Sequence, residues 1–388
     1  MKSLNVFFSP FLLLAFLCLV LILSGCASKE RMPVTTLDTP EHHVFIGMKL
    51  LQSGKLKDGE REFRLAQELD KNYSPAYREL GVVSAYKGDF ESAFKNMYQA
   101  KNLAKSNKED ALIYVGFMRL YTLQKDENWL ENVKENFHKA INIDKDLLDA
   151  YFYMGIAYKE AYMLEEAAAA FKKVLEINKA FLDQTNYQLQ LIQKIEKATP
   201  ETLIGKKVAL LEKVKKADVA ALFIYELKLA ELYKKFKPKK SEESSKTSYE
   251  ISSIQGTPIP IDVQDHPLKA DIKAVIELGV KGLGVLPDGR FVPDELITRA
   301  GYAEMLADII STITNDLSLD NKYRGIASPF ADVKNNISYF NAIMVCTNRG
   351  IIKPKSNIRQ TFFSPMGSVS GVDALLAIRK LKEDLKLF

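Results

Sequence analysis

The sequence predicts a predominantly all-α chain carrying two successive sets of internal repeats behind an apolar N-terminal stretch. Three observations predict this. From His42 onward, apolar residues recur at helical spacing, and Gly47 and Gly81 stand 34 residues apart with matching neighbourhoods. After Asp262, a longer unit of helix, glycine-ended turn, irregular loop and capped helix is written twice, at offsets of 70 to 72 residues. Between the two sets, Lys237 to about Gly256 is polar and of low complexity, the composition of a linker. The expected organisation is residues 1–25 as signal peptide, 26–40 as tether and 41–197 as helical repeats. A possible reduced unit follows at 198–236, then a flexible linker at 237–260 and two further units at 261–325 and 326–388.

The N-terminus carries Lys2, the apolar run Phe11 to Leu23, and then Leu23-Ser24-Gly25-Cys26. That is a charged start, an apolar region short for a bilayer span, and a small-residue cleavage site. The four residues resemble the lipobox of bacterial lipoproteins, whereas a plain secretory signal with an incidental cysteine is the bland reading. The resemblance implies S-acylation of Cys26 by a palmitate-type chain, loss of the preceding peptide and acylation of the new N-terminus. Each buried methylene contributes about 0.8 kcal/mol, so several chains hold a membrane firmly. Ala27 rather than Asp follows the cysteine, which in a Gram-negative cell implies the outer membrane, on its periplasmic or surface side. Residues Ala27 to Pro40 read as a polar tether.

Composition excludes more than it selects. A formal charge of +5 over 388 residues demands no basic face, so nucleic acid is not an expected partner. With Cys18 in the signal and Cys26 acylated, Cys346 is left without an intramolecular disulfide partner and reads as a small buried hydrophobe. No catalytic constellation is legible: there is no phosphate-binding glycine loop, no His-Glu-x-x-His and no Gly-x-Ser-x-Gly. His42, His43, His138 and His266 share no helical face. The expectation is a non-enzymatic chain without cofactor or metal.

In the first repeats, Gly54 matches Gly88, Phe63 matches Met97 and Ala66 matches Ala100. A clean copy returns at Tyr151, Met154, Gly155, Tyr158, Ala167, Phe171 and Val174. An irregular unit with Tyr114, Gly116, Phe137 and Ala140 lies between, its five extra residues expected in the turn around Lys125 to Trp129. The period and the small residues resemble the tetratricopeptide (TPR) repeat, and four units are expected from Glu41 to Lys179, capped by a helix from Phe181 to Lys197. The resemblance implies an α-solenoid whose concave groove is lined by each unit's first helix, with Met48, Val82, Ile113, Phe117, Phe152 and Ile156 as groove candidates. These residues read equally as a groove for an apolar peptide or helix of a protein partner and as packing within the stack.

In the last third, Ile261-Asp262-Val263 pairs with Ala331-Asp332-Val333, Phe291-Val292-Pro293 with Phe363-Ser364-Pro365, and Ile297-Thr298 with Val369-Ser370. Thr298 stands at an N-cap position, and the glycines after each first helix stand where positive φ is needed. The order Asp-Val, helix, Gly-Val/Ile, Pro-Asp-Gly-x-Phe-x-Pro, Ile-Thr-Arg-Ala resembles the S-layer homology (SLH) domain. That family implies a pseudo-threefold module whose grooves hold pyruvylated cell-wall polysaccharide in many members. Val214-Lys215-Lys216-Ala217-Asp218 has the spacing of a reduced third unit; an extra TPR-like helical pair is the alternative. The chain departs from the family pattern where its arginine becomes Lys216 and Gly371, and in lacking a helix-one tryptophan. Asp288, Gly289, Thr298 and Arg299 are the glycan-binding candidates, with Arg299 pairing a sugar carboxylate or bonding loop carbonyls.

The resemblances together imply a lipid-anchored cell-envelope scaffold that binds protein through the TPR stack and cell-wall or surface glycan through the SLH-like module. The second reading is an assembly factor for a secretion, pilus or outer-membrane machinery, with the C-terminal module purely structural.

Overall fold

The computed structural model describes residues 31–177, 182–236 and 259–387. The signal peptide, Cys26 and most of the linker lie outside these residues. Among the described residues there are sixteen α-helices against two strands of two residues each, so the chain is mostly helical. No helix among them is long and apolar enough to cross a membrane. The helices fall into two compact units, Met1–Phe181 and Leu182–Phe388.

The first unit is four helical hairpins: α1 (Pro40–Gln52) with α2 (Leu56–Leu69), α3 (Ser74–Tyr86) with α4 (Phe90–Leu103), α5 (Asn107–Gln124) with α6 (Trp129–Ile143), and α7 (Leu148–Glu160) with α8 (Leu164–Ile177). The first helices lie side by side, α1 on α3, α3 on α5 and α5 on α7, and each second helix also touches the next first helix. Glycine at the crossings permits this approach. A Cβ on Gly47 would stand 2.4 Å from the Phe63 ring, and one on Gly155 would stand 2.7 Å from the Phe171 ring. The extra residues of the third hairpin are not all in its turn: α5 runs on to Gln124, since its helical pattern continues past Gly116 and only Lys125 turns left-handed.

Part of the expected tether is folded. The Arg31 N–H donates to the Glu68 carbonyl (2.9 Å), and the Arg31 guanidinium grips the Asp38 carboxylate. Asp38 also accepts the Val34 N–H (2.7 Å) and faces His43 Nε2 (2.8 Å), while His43 Nδ1 faces Glu62 (2.7 Å). Thr39 then caps α1 by accepting the His42 N–H. The polar composition that suggested a free tether is thus spent on charge pairing within the first hairpin.

The second unit is built of three segments joined in a cycle. The first holds α9 (Leu182–Ala198), α10 (Leu203–Ala209), α11 (Lys216–Tyr225) and α12 (Leu229–Phe236). The second holds α13 (Lys269–Leu278) and α14 (Arg299–Thr314), and the third holds α15 (Phe340–Asn348), the hairpin β1 (Lys355–Ser356) and β2 (Thr361–Phe362), and α16 (Gly371–Asp384). At its centre three backbone bonds close a cycle: Val214 N–H to the Val369 carbonyl (2.9 Å), Val369 N–H to Ile297 (3.1 Å) and Ile297 N–H to Val214 (3.1 Å). Helices repeat the cycle, with α11 on α13, α14 on α15, and α16 on α9 and α10.

Helix α9 was expected to cap the hairpin stack. It belongs instead to the second unit, where it closes the ring against α16 and buries Thr185, Ile192, Ile195 and Ala198. The helical period is the same in both units, so periodicity could not assign it. Gly279 (φ +73°) and Gly350 (φ +69°) end α13 and the turn after α15 in the left-handed region. Cys346 is fully buried, and burial pushes its thiol up to about 12.

Candidate functional site

The three helix starts at the ring centre show how the chain builds and varies one device. Thr298 Oγ1 accepts the Gly301 N–H (3.1 Å) at the start of α14, and Ser370 Oγ accepts the Asp373 N–H (3.2 Å) at the start of α16. Lys215 cannot cap in this way, and there Asp218 reaches back to accept the Lys215 N–H (2.8 Å). One residue further in, two of the three starts send a side chain to the next segment. Lys216 Nζ donates to the Phe291 carbonyl (2.8 Å) and sits 4.3 Å from that ring's centroid. Arg299 Nε donates to the Phe363 carbonyl (2.8 Å), its second nitrogen donates to the Lys353 carbonyl (2.9 Å), and its Cζ lies 4.8 Å from the Phe363 centroid. These are matched cation–π and carbonyl contacts at two of the three interfaces.

The third interface has no room for a cation. A Cβ on Gly371 would lie 1.6 Å from the Val208 carbonyl oxygen. The first segment lacks the long loop of the other two, so its backbone fills the space directly. In those two, Asp262 accepts the N–H groups of Phe291 (2.9 Å) and Val292 (2.7 Å), and Asp332 accepts those of Phe363 (2.9 Å) and Ser364 (2.7 Å). The clamps hold Val292 (φ +60°) and Ser364 (φ +58°) in the left-handed region that L-residues otherwise avoid. Burial raises the Asp262 carboxyl, and the donated N–H groups outweigh it and leave the pKa below its ordinary value.

Two grooves flank the cation contacts. The larger, 590 Å³, lies beside Arg299 between α9, α16 and the stretch Gly350 to Lys355. The smaller, 270 Å³, lies beside Lys216 and the start of α14. Their charges differ. The large groove is lined by Lys194, Lys197, Arg299, Lys353, Lys355, Arg379 and Lys380 against only Asp373 and Glu383. The small one sets Lys216 and Lys281 against Glu295 and Glu304. Burial pulls the Arg299 and Lys216 pKa values below their ordinary levels, with nearby carboxylates opposing.

The four glycan-binding candidates are not brought into one site. Arg299 lines the large groove, with two of its nitrogens committed to carbonyls, and Thr298 lines the small one. Asp288 pairs with Arg290 (2.6 Å) in an exposed turn, where Gly289 has φ +83°. That turn leads into Phe291, the acceptor of Lys216, and lines neither groove.

The groove candidates of the first unit are mostly interior. Val82 and Ile113 are fully buried, Phe117 and Phe152 nearly so, and Met48 and Ile156 half-buried. Val82, Ile113 and Phe117 share one core cluster, Met48 packs against another, and Phe152 meets the Phe171 ring within its own hairpin (5.7 Å between centroids). What the apolar reading missed is a charged cluster on the same helices. Glu79, 2 % exposed, accepts from Arg78 Nε (2.8 Å) and faces Arg119 (3.4 Å), whose Cζ lies 4.7 Å from the Tyr153 centroid. Burial raises the Glu79 carboxyl, and the two guanidiniums outweigh it and hold its pKa below the ordinary value. For Asp149 burial wins over the same arginines, and its pKa is raised. The signal available in the sequence was the charge at Arg78, Glu79 and Arg119 on otherwise apolar helices.

Among the described residues no group of His, Cys, Asp and Glu is placed to hold a metal ion. No protein-family model matches the chain, and no curated protein matches it.

Proposed function

We propose that the protein is a lipid-anchored scaffold of the bacterial envelope, built from a TPR-type stack that engages protein and an SLH-type ring that holds an anionic cell-wall or surface glycan. The anchor rests on the lipobox-like Leu23-Ser24-Gly25-Cys26. The ring reading draws on the cyclic bonds of Val214, Ile297 and Val369 and on the paired Asp262 and Asp332 clamps. The single observation that carries glycan binding is the cation excess of the 590 Å³ groove, a size within the range of small-ligand sites. Lys353 and Lys355 in it are exposed and have no side-chain partner among the described residues, so an anion meets them at little cost in broken contacts.

The test is co-sedimentation of the mature chain with cell-wall sacculi. Lys353→Gln/Lys355→Gln is expected to lose retention, while Lys281→Gln in the small groove keeps it. Retention unchanged in the double variant, or absent in the unmodified chain, refutes the glycan part. Cys26→Ala is expected to move the protein from the membrane to the soluble fraction, and persistent membrane association refutes the anchor.

The assembly-factor reading draws on the exposed aromatics Phe45 and Tyr98 of the first unit. Crosslinking from Tyr98 to one defined protein, with no sacculus retention, selects it.

A further inference from the structure

We infer that Lys194 and Lys197 of α9 form a second wall of anion recognition, so that the large groove takes a polymer of repeated anionic groups rather than a single charged end. The inference rests on the glycan reading of that groove and adds residues from a helix outside the repeated motif. Helix α9 is a rigid support. It buries Ile192 and Ile195, and Arg379 ties down its end by donating to the Lys197 carbonyl and to Thr199 Oγ1 (2.8 Å).

The two walls are similarly ready. Lys197 has no side-chain partner among the described residues, and Lys194 meets only Asp373, at 3.4 Å, with both side chains about half exposed. An exposed pair of that kind holds its partners weakly. Lining the same groove from another segment are Lys353 and Lys355, together with Arg299. Cations of one sign gathered around one cavity repel each other in the free protein, and a polyanion relieves all of them, whereas one carboxylate reaches one wall. The charge is not a by-product of the fold, because the related groove beside Lys216 carries Glu295 and Glu304.

The experiment is binding of the mature chain to polygalacturonate, dextran sulfate, galacturonate monomer and neutral dextran across a salt series, for the unmodified protein, K194Q/K197Q and K353Q/K355Q. Far-UV circular dichroism checks that each variant is folded. The expected result is polyanion binding that K194Q/K197Q weakens about tenfold and makes less salt-dependent, as fewer contacts release fewer counterions. Monomer binding is expected to be unaffected by that pair. Preference for polygalacturonate over dextran sulfate assigns carboxylate recognition, and the reverse assigns sulfate or phosphate esters. If K194Q/K197Q leaves affinity and salt slope unchanged while K353Q/K355Q weakens binding, α9 is a bystander and the inference fails with the glycan reading intact. If the unmodified chain binds neither polymer at low salt, both fail.

Discussion

Replacing Gly371 with alanine tests whether the second unit is a closed ring. The added Cβ would lie 1.6 Å from the Val208 oxygen and 2.6 Å from its carbon, both backbone atoms that no rotamer change can move aside. Ordinary overpacking costs about 1–3 kcal/mol. Here α10 must shift, and with it the Gly371 N–H bond to the Leu211 carbonyl (2.8 Å), so a loss of about 3–5 kcal/mol is expected. With a urea m-value of about 2–3 kcal/mol/M, the midpoint falls by about 1–2.5 M. The control is Gly301→Ala, where the nearest atom is the capping Thr298 Oγ1 at 3.3 Å and the effect stays within about 1 kcal/mol. Circular dichroism reports the helices of both units, so unfolding of the ring is the part of that transition which Trp129 fluorescence does not share. The only tryptophan, Trp129, lies in the first unit, and its fluorescence transition should not move. A midpoint for Gly371→Ala equal to that of Gly301→Ala would refute the reasoning.

Three further outcomes are expected. Glu79→Gln destabilises the first unit by about 3 kcal/mol at neutral pH, because it strands two largely buried guanidiniums. Since the folded pKa of Glu79 lies below its ordinary 4.5, that stabilisation is present above 4.5 and disappears as pH falls through the lower folded value, a convergence urea titrations at several pH values would reveal. Asp149→Asn works in the opposite sense. The native carboxyl has a raised pKa, so its ionisation penalises the folded state above that value, and the variant is the more stable at neutral pH, a gain that vanishes below 3.8. Asp38→Asn frees residues 31–38 from the first hairpin, and faster tryptic cleavage after Arg31 reports it; a native cleavage rate would show that the strap does not depend on this carboxylate.

How much of this was legible varies with the interaction concerned. The hairpins and the glycines at their crossings were readable, because Gly47 and Gly81 recur 34 residues apart and Gly155 meets the same kind of close approach as Gly47. The boundary at α9 was not, since an amphipathic helix shows the same period whichever neighbour covers it. The groove candidates Val82 and Ile113 showed an apolar face, and only the lateral contact of α3 with α5 decided that the face was covered. Arg299 stood out as a motif residue, yet its partners Lys353 and Phe363 lie more than fifty residues away in the sequence. The lysines of α9 carried no local signal, because a solvated lysine and a groove lysine look alike until the ring closes.

The sequence by itself determined the helical class, the helix starts at Thr298 and Ser370 and the left-handed glycines, since each follows from local sterics and hydrogen bonding within a few residues. Tertiary structure alone decided that Val214, Ile297 and Val369 bond in a cycle, that Gly371 is a close-approach residue and that cations from three segments gather in one groove. Those features depend on which distant backbone lies opposite, and burial, repulsion and close approach become physical only once the chain has closed on itself.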